Sequence, residues 1–438
     1  MTTATFFHLF LISILLGFGS FSICAGEASM EGIQLPLLDS TGVPYRTPRA
    51  GEGFQAEVFG REITVQPRDR RSVSGWILGL EINEPTPEKA GILPFGALYF
   101  WRHPDDERFL RAQVSGVYND IFLSRSSPSL RPFEWVLTFN SFTLPFAHAE
   151  LIDGKSLESE ELLWGYVRPG LGIGYRRQVS PGHQDNMLAV NLTAEPGFLF
   201  FHKGSKTSDN FVVHRDTFEI RAHLQLRCDA MERNLLTQPH NGFATGTDLI
   251  YGRRSNWKNW GVDSSQDADK GADYLLFTGY FLAAVGVPGV DSDRHRLVGS
   301  VYGGIGRHLD RFSAPRVGGG YRPMGEEYGS TWQPILPGAA MQEFFPKHYL
   351  LAVGEYRWEP IFFTNVSLGG SVAWIDRLSK TETGISTKND VLTSMGGRVV
   401  TGFFFETRLQ LAYNYNFSVI RDGHFGGHEI VMSLSRYF

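Results

Sequence analysis

The stretch Phe403–Phe438 constrains the fold most, because its side chains alternate with a period of two. In its first half one face carries aromatic and aliphatic residues, and the other carries polar residues such as Glu406, Arg408 and Asn414. That alternation predicts a β-strand with one apolar and one wet face. The apolar face has aromatic residues at both ends and aliphatic residues between them, which is typical of a strand that crosses a lipid bilayer.

The chain ends in a second alternating run. One face carries Ile430, Met432, Leu434 and Phe438, and the other carries Glu429, Ser433, Ser435 and Tyr437. The terminal aromatic, Phe438, resembles the C-terminal sorting signal of bacterial outer-membrane barrels. A soluble β-sandwich also alternates, but the run that begins at Phe403 exceeds a usual soluble strand, and its opposite charges could not be buried in a soluble core. We therefore predict an all-β fold, a transmembrane antiparallel β-barrel in a bacterial outer membrane.

Similar runs recur from Ser72 onward, separated by clusters of Pro, Gly, Asp and Asn. They include Leu93–Trp101, Phe109–Tyr118, Phe133–Phe142, Leu163–Tyr175, Met187–Phe201, Phe218–Cys228, Tyr274–Val285 and Leu297–Ile305. At about ten residues per strand plus loops, residues 72–438 fit about fourteen to sixteen strands. We predict sixteen, because a wide barrel leaves room for water around inward-facing charges. The mild net charge of -5 and the lack of a basic stripe predict no nucleic-acid partner.

The N-terminal residues 1–28 predict a secretory signal peptide, since the apolar run Phe6–Ile23 is followed by small residues. Residues 29–71 are too short for a separate sizeable domain, so we expect a periplasmic lead-in or a segment inside the lumen. No other stretch approaches the roughly 18 apolar residues of a transmembrane helix, so spanning falls to strands. With Cys24 beside the signal, Cys228 has no disulfide partner and is expected to pack or to face lipid.

The longest stretch without alternation inside the barrel region lies between Ile305 and Tyr349. It contains Arg316-Val-Gly-Gly-Gly-Tyr-Arg-Pro-Met-Gly325, and it is followed by Val353-Gly-Glu-Tyr-Arg-Trp-Glu-Pro360, by an apolar strand ending at Asp376, and by Met395-Gly-Gly-Arg398. This order of motifs resembles the C-terminal part of the bacterial surface antigen barrels, the BamA- and TamA-like superfamily. The resemblance covers Ala314–Phe438. It implies sixteen strands and a sixth outer loop folded into the lumen, where an Arg contacts acidic residues on neighbouring strands.

The sequence departs from that family pattern in two places. The family's loop motif is Val-Arg-Gly-aromatic, whereas Gly320 and Tyr321 stand here with Arg322 one place late and Arg316 early. The family's assembly factors also carry periplasmic repeat domains, for which residues 29–71 have no room. A role in receiving client proteins is weakened accordingly.

Two charged residues after the loop share one strand face. Glu355 and Arg357 alternate with aromatic residues that would face lipid, so their side chains should face the lumen. We predict that Arg316 or Arg322 pairs with Glu355 or Asp376 inside the barrel. The alternative is that all of them are solvated wall residues without special pairing. Parity places Asp376 on the same face as Trp374, so one of the two must take the less favourable side unless a β-bulge intervenes.

A search for a catalytic site finds no complete constellation. The stretch around His240 weakly resembles the outer-membrane phospholipase, which has a Ser two places after its His, but Gly242 occupies that place here. The pair His424 and His428 lacks a third ligand, and the glycines of 170–174 have no following helix to bind phosphate. We therefore predict no enzymatic activity, no metal and no cofactor.

Three functions remain to be weighed. The resemblance favours a barrel that translocates or inserts a polypeptide or lipid, and the charged lumen also allows a passive porin-like channel. An outer-membrane acyl hydrolase is disfavoured by the missing nucleophile. The expected partners are outer-membrane lipids, the barrel assembly machinery during biogenesis, and a polypeptide or lipid cargo that the sequence does not name.

Overall fold

The computed structural model describes residues 37–38, 46–58, 60–85, 91–105, 107–127, 129, 131–144, 146–182, 186–262, 271–320, 334–381, 384–402, 407–421 and 423–437. The predicted signal peptide at 1–28, together with Tyr321, Arg322 and Phe438, lies outside the described residues.

Sixteen antiparallel strands form a closed barrel, which confirms the predicted fold class and strand number. Each strand pairs with its neighbours in the chain, and the last strand pairs with the first. In chain order they are β1 (Ser72–Glu84), β2 (Ile92–Asp105), β3 (Arg108–Val114), β4 (Tyr118–Arg125), β5 (Phe133–Thr143), β6 (Leu162–Gln178), β7 (Met187–Lys203), β8 (Thr217–Arg233), β9 (Pro239–Arg254), β10 (Asp273–Gly286), β11 (His295–Arg307), β12 (His348–Ile361), β13 (Thr364–Thr381), β14 (Gly384–Gly402), β15 (Thr407–Arg421) and β16 (His424–Tyr437).

Alternation along each strand separates the outer surface of the barrel from its lumen. On β8, Phe218 and Ile220 are 68% and 57% exposed, whereas Glu219 between them is 3% exposed. On β15, Leu409 and Tyr413 are exposed in the same way. Large exposed apolar side chains that surround a charged interior are the signature of a wall in contact with lipid. The chain is therefore an outer-membrane barrel. Within the described residues, no helix is long and apolar enough to cross a membrane.

The two ends of the barrel differ in the length of their connections. One end carries the long connections 144–161, 204–216, 255–272 and 308–347. The other end carries the short connections 106–107, 234–238, 362–363 and 403–406. In outer-membrane barrels the long loops face outward and the short turns face the periplasm. We refer to these as the outer end and the periplasmic end.

Short elements pack at both ends. At the periplasmic end, a hairpin of Phe54–Val58 and Arg61–Val65 buries Phe54 against Phe362, with 5.1 Å between ring centroids. The described part of the lead-in therefore lies against the periplasmic turns. The segment Leu37–Leu38 adds a parallel strand to this hairpin. At the outer end lie the strand pairs Leu151–Ile152 with Lys155–Ser156 and Phe211–Val212 with Gly261–Val262, and the 3-10 helix Glu158–Glu160.

An apolar cluster joins the long loops at the outer end, and we call it the outer cap. It consists of Phe142, Leu162, Trp164, Leu199, Phe201, Phe211, Trp257, Trp260 and Phe312. Phe312, from the connection between β11 and β12, contacts Trp164, Phe201 and Trp260 at centroid distances of 4.9–5.1 Å. The cap thus ties the longest connection to the loops around it.

Candidate functional site

The described parts of the connection between β11 and β12, residues 308–320 and 334–347, are folded into the barrel, and we call them the lumen loop. Its buried apolar side chains form one cluster with inward-facing wall residues such as Tyr302 and Leu351. The loop's contributions to this cluster are Val317, Leu336, Ala339 and Phe344. This packing agrees with the fold that the family resemblance implied.

The described limbs of the lumen loop also pair with each other. Val317 bridges Phe344, Gly318 bridges Ile335, and Gly319 bridges Met341. The amide N–H of Leu336 donates to the carbonyl of Gly318 at 2.8 Å. Because these bonds satisfy much of the loop's buried backbone, the loop can sit in the lumen as a compact unit.

Two wall carboxylates hold the lumen loop, and we call Glu81 and Glu429 the carboxylate clamp. Glu429 accepts hydrogen bonds from the amide N–H groups of Gly320 at 2.6 Å and Gly338 at 2.8 Å. Glu81 accepts one from the amide of Met341 at 3.0 Å. Both carboxylates are 1% exposed. They belong to β16 and β1, the two strands whose pairing closes the barrel, so the loop bonds to both sides of that seam.

The glycines of the loop are what allow this close approach. Gly320 and Gly338 have φ values of +108° and +78°, a region that other residues rarely adopt. A side chain on Gly319 would run into both the carbonyl of Ala339 and the carboxylate of Glu429. The glycine run therefore lets bare backbone N–H groups reach the wall.

A buried ion pair holds the returning limb of the loop. Arg421 on β15 donates two hydrogen bonds of 2.6 Å to the carboxylate of Glu343, and the two side chains are 1% and 3% exposed. Glu343 also accepts the amide N–H of Ala340 at 2.8 Å. Paired guanidinium and carboxylate groups of this geometry are among the stronger hydrogen-bonded contacts in proteins.

A second charged cluster joins the lumen loop to the outer loop 144–161. The carboxylate of Glu150 accepts from Arg316 at 2.7 and 3.0 Å and from Arg311 at 3.1 Å. Burial by itself raises the pKa of Glu150, but Arg316 and Arg311 outweigh it and lower the pKa to about 2. Glu150 therefore stays ionised and pairs these two loops at any ordinary pH.

Two buried histidines lie in the same outer loops. His214 stacks on Trp257 at a centroid distance of 3.5 Å, and His148 accepts from the indole N–H of Trp164 at 3.2 Å. Burial lowers the pKa of His214 to about 3 and that of His148 to about 4. Both imidazoles are therefore neutral when the cap is closed.

We expect acid to loosen the outer cap. An open loop would protonate His148 and His214 with an ordinary pKa of about 6.5, so closure is strongest above that pH. As the pH is lowered from about 6.5 to 4, the equilibrium constant for closing the outer cap should fall about tenfold per pH unit for each histidine. Below about pH 4.5, protonation of Glu150 in the open form adds to the loss. Hydrogen exchange of the outer loops between pH 7.5 and 4.5 measures this.

The control for that titration is an exposed histidine. His214→Gln should flatten the pH dependence of exchange, whereas His424→Gln, at an exposed position on β16, should leave it unchanged. Outer loops that stay equally protected down to pH 4.5 would contradict the assignment of the two histidines.

Small and polar residues line the wall next to the lumen loop. A cavity of about 90 Å³ lies there, bounded by Gly320 and Pro337 of the loop and by Glu355, Arg398 and Asn414 of the wall. Its floor includes Gly369 and Gly396, which pair with each other across β13 and β14. Gly369 also pairs with Glu355 on β12, and Gly396 pairs with Asn414 on β15. The wall that faces the loop is thus polar and carries many small side chains, which suits water better than an apolar cargo.

Comparison with solved structures finds barrels of similar size. BamA from Haemophilus ducreyi lacking POTRA domains 1–3 is 10% identical, with a TM-score of 0.50 over 88% of this chain and 75% of that chain. CdiB from Acinetobacter baumannii is 11% identical, with a TM-score of 0.47 over 90% of this chain and 64% of that one. CdiB from Escherichia coli is 11% identical, with a TM-score of 0.47 over 89% and 68%. This chain has the fold of the BamA barrel.

The likeness to BamA concerns the fold alone, since the sequences are 10% identical. This chain spans less than two thirds of the CdiB chain from Acinetobacter baumannii. No protein-family profile and no curated protein sequence matches it.

In this BamA-type barrel the loop is anchored differently from our prediction. Arg316 contacts Glu150 in an outer loop, not Glu355 or Asp376, so the prediction for Arg316 was wrong. Arg322 lies outside the described residues. In the family, an Arg side chain of the loop contacts the wall. Here wall carboxylates accept hydrogen bonds from the loop backbone, and Gly320 is one of the donors.

The other predicted wall residues have partners within the wall. Glu355 accepts from Arg357 at 2.8 Å and from Arg398 at 2.9 Å, and Arg357 also donates to the carbonyl of Pro239 at 2.5 Å. Asp376 has the strand parity of Val372, which is 54% exposed, and no register shift interrupts β13 and β14. Asp376 accepts from the amide of His348 at 2.7 Å. Asp376 therefore shares the outward parity of Trp374 within β13, as the sequence indicated, but it is only 7% exposed.

His240, which carries the weak phospholipase resemblance, is far from Ser255, the next serine in the chain. His240 and Ser255 lie at opposite ends of β9, and fifteen residues of strand separate them by about 50 Å. His240 is buried at the periplasmic end beside Asp293 at 3.1 Å. Within the described residues, no group of three or more His, Cys, Asp or Glu side chains could hold a metal ion.

Sequence analysis missed the residues that hold the loop. The sequence patterns did not single out Glu81, Glu343 or Arg421, and they placed Glu429 only on a polar strand face. A usable signal existed for the clamp, because Glu81 and Glu429 are carboxylates at inward positions of the first and last strands. Glu150 carries no such signal, since its partners come from a loop more than 150 residues away.

Proposed function

We propose that this barrel is a gated outer-membrane conduit that translocates or inserts a polypeptide or a lipid. The observation that carries the proposal is the carboxylate clamp. Glu81 on β1 and Glu429 on β16 bind the same lumen loop, so the loop cannot leave the lumen without breaking bonds to both closing strands. Movement of the loop and movement of the seam are thereby coupled.

Packing inside the barrel supports gating over passive flow. The lumen loop packs against the walls of β8–β15, the outer cap lies over it, and the lead-in packs at the periplasmic end. A passive porin needs a continuous water-filled channel. Opening this barrel would require the loop to shift, which is a two-state event and not a fixed hole.

The polar surface beside the loop supports a wet path once the loop moves. Ser371 and Ser394 hydrogen-bond across β13 and β14 at 2.7 Å, and the next inward positions toward the periplasmic end are Gly369 and Gly396. Such a surface offers few side chains that would hold a passing chain.

Single-channel recording of the purified barrel in a planar bilayer tests this proposal. We expect brief, small conductance events, because the loop occupies the lumen most of the time. A steady, large conductance from the intact chain would instead favour the porin-like channel. Folded barrels are selected beforehand by their heat-dependent migration, so unfolded material does not enter the comparison.

A further inference from the structure

The wall of the barrel is uneven in height. β3 has seven residues and β4 has eight, whereas the other strands have eleven or more. At about 3.4 Å per residue and a tilt of about 40°, a seven-residue strand rises only about 18 Å. The apolar band of an outer-membrane barrel is about 25 Å tall. The hairpin of β3 and β4 is therefore too short to cross it.

The missing height is on the outer side of the hairpin. β2 pairs with β1 from Ile92 onward, but its pairing with β3 begins only at Leu98. Among the described strands, none pairs with 92–97 on the side away from β1. The hairpin turns at 115–117, level with Leu98. β5 ends near the same level, at Thr143, whose amide donates to the carbonyl of Val117 at 2.9 Å. The wall is therefore low from β3 to β5, and we call the opening beside residues 92–97 of β2 the wall gap.

The wall gap lies within the lipid-facing band. Ile92 pairs with Ile82, and the outward residues around them include Ile92 at 64% and Leu78 at 60% exposure. An unpaired strand edge at this depth leaves backbone groups without water to satisfy them. This edge must therefore expose few unpaired backbone N–H and C=O groups, or another group must cover them.

The edge of β2 is adapted to hydrocarbon. The amide of Asn83 donates to the carbonyl of Gly91 at 2.9 Å, so the backbone groups of odd residues on β2 point toward β1. Those of Ile92, Pro94 and Gly96 point toward the gap. Pro94 has no N–H, so the middle of the edge lacks the donor that would otherwise be unsatisfied. Proline at such a position also disfavours the addition of another strand.

The inner face of β2 is apolar from Phe95 toward the periplasmic end, whereas the buried Glu81 of the clamp pairs with Leu93 just above it. Phe95, on the unpaired stretch, packs against an aromatic and aliphatic cluster that continues toward the periplasmic end. The cluster comprises Val73, Ile77, Ala97, Tyr99, Trp101, Phe109, Phe122 and Val136. Trp101 and Phe109 lie 4.5 Å apart between ring centroids. An apolar surface therefore extends from Phe95 along the inside of β2.

We propose that the wall gap is a lateral port that admits the acyl chain of a membrane lipid from the outer leaflet to Phe95 and the cluster below it. An acyl chain needs no hydrogen-bond partners, which fits an edge whose central residue is Pro94. A polypeptide strand would require donors and acceptors along the whole edge. The inference rests on the proposed function in naming a lipid as the cargo, and the unpaired stretch adjoins the clamp, since Leu93 pairs with Glu81.

Site-specific photo-crosslinking tests the port. Benzoylphenylalanine replaces Phe95 in one variant, the lipid-facing Leu78 in a second and the lumen-facing Tyr280 in a third. Each folded barrel is irradiated in vesicles of phosphatidylethanolamine and phosphatidylglycerol, and lipid adducts are counted by mass spectrometry. We expect the Phe95 variant to form adducts within about threefold of the Leu78 variant, and the Tyr280 variant to form at least tenfold fewer.

Two results would overturn the port. One is labelling of the Leu78 variant with no lipid adduct at position 95. The other is a polypeptide adduct at position 95 when irradiation is done in intact envelopes, which would make the gap a strand-accepting site. Lipid adducts at position 95 in a barrel that conducts steadily would uphold the port while refuting the gated function, so the two failures are distinguishable.

Discussion

Replacing Glu81 and Glu429 together with alanine is expected to free the lumen loop and raise the open probability of the barrel by about a hundred- to a thousandfold. The double variant leaves the amides of Gly320, Gly338 and Met341 without their acceptors. Each buried donor that loses an acceptor costs about 1–3 kcal/mol, and each 1.4 kcal/mol is about a tenfold change in an equilibrium. Single-channel recording measures the open time directly.

The matched control is a wall carboxylate whose partner lies on the neighbouring strand. Asp120 on β4 accepts from Arg111 on β3 at 2.8 Å, so Asp120→Ala disturbs lumen charge without releasing the clamp. Its open probability should stay near that of the unmodified barrel. Glu429→Gln, which keeps one acceptor oxygen, should fall between the two alanine variants. An unchanged open time in the Glu81→Ala/Glu429→Ala barrel would show that the clamp does not retain the loop.

The wall of the barrel could be predicted from the sequence because lipid and water impose opposite chemistry at successive positions. On β8 and β15 the predicted faces are those observed, with Phe218 and Leu409 outside and Glu219 and Arg408 inside. The face that Asp376 shares with Trp374 could also be read from their spacing. A period of two needs no knowledge of tertiary contacts, which explains why this part was accessible.

The interruption at β3 and β4 was harder to predict. The run Phe109–Tyr118 alternates well enough to suggest one strand, but the structure turns at 115–117 and begins a new strand at Tyr118. Gly116 has a φ of +79°, which allows this tight turn. The turn also exchanges the faces, because odd positions such as Phe109 point inward on β3 whereas even positions such as Phe122 point inward on β4.

The loop contacts could not be predicted from residue types. The expectation relied on an Arg side chain, whereas Gly320, Gly338 and Met341 bind the wall through amide N–H groups that nearly every residue possesses. Only the three-dimensional path of the loop decides which amides are used. The ion pairs of Glu150 with Arg311 and Arg316 likewise depend on loops that meet only in the folded chain.

Replacing Arg421 with methionine is expected to destabilise the folded barrel by about 3–5 kcal/mol. The change strands the carboxylate of Glu343, which is 3% exposed, and an unpaired buried charge carries a penalty of this size. Urea unfolding in lipid vesicles, followed by tryptophan fluorescence, measures the loss. The same variant should also loosen the returning limb of the lumen loop, seen as faster hydrogen exchange around Ala340.

The double variant Arg421→Met/Glu343→Gln separates the lost charge pair from lost packing. Glutamine keeps an acceptor oxygen for the amide of Ala340, at present 2.8 Å from the carboxylate, and removes the stranded charge. Most of the lost stability should therefore return, because replacing both partners of a buried pair costs far less than removing one. Arg108→Met breaks a pair with Asp105 whose side chains are 61% and 39% exposed, and it should leave the unfolding midpoint unchanged. If Arg421→Met and Arg108→Met behaved alike, the buried pair would not be what fixes the loop to β15.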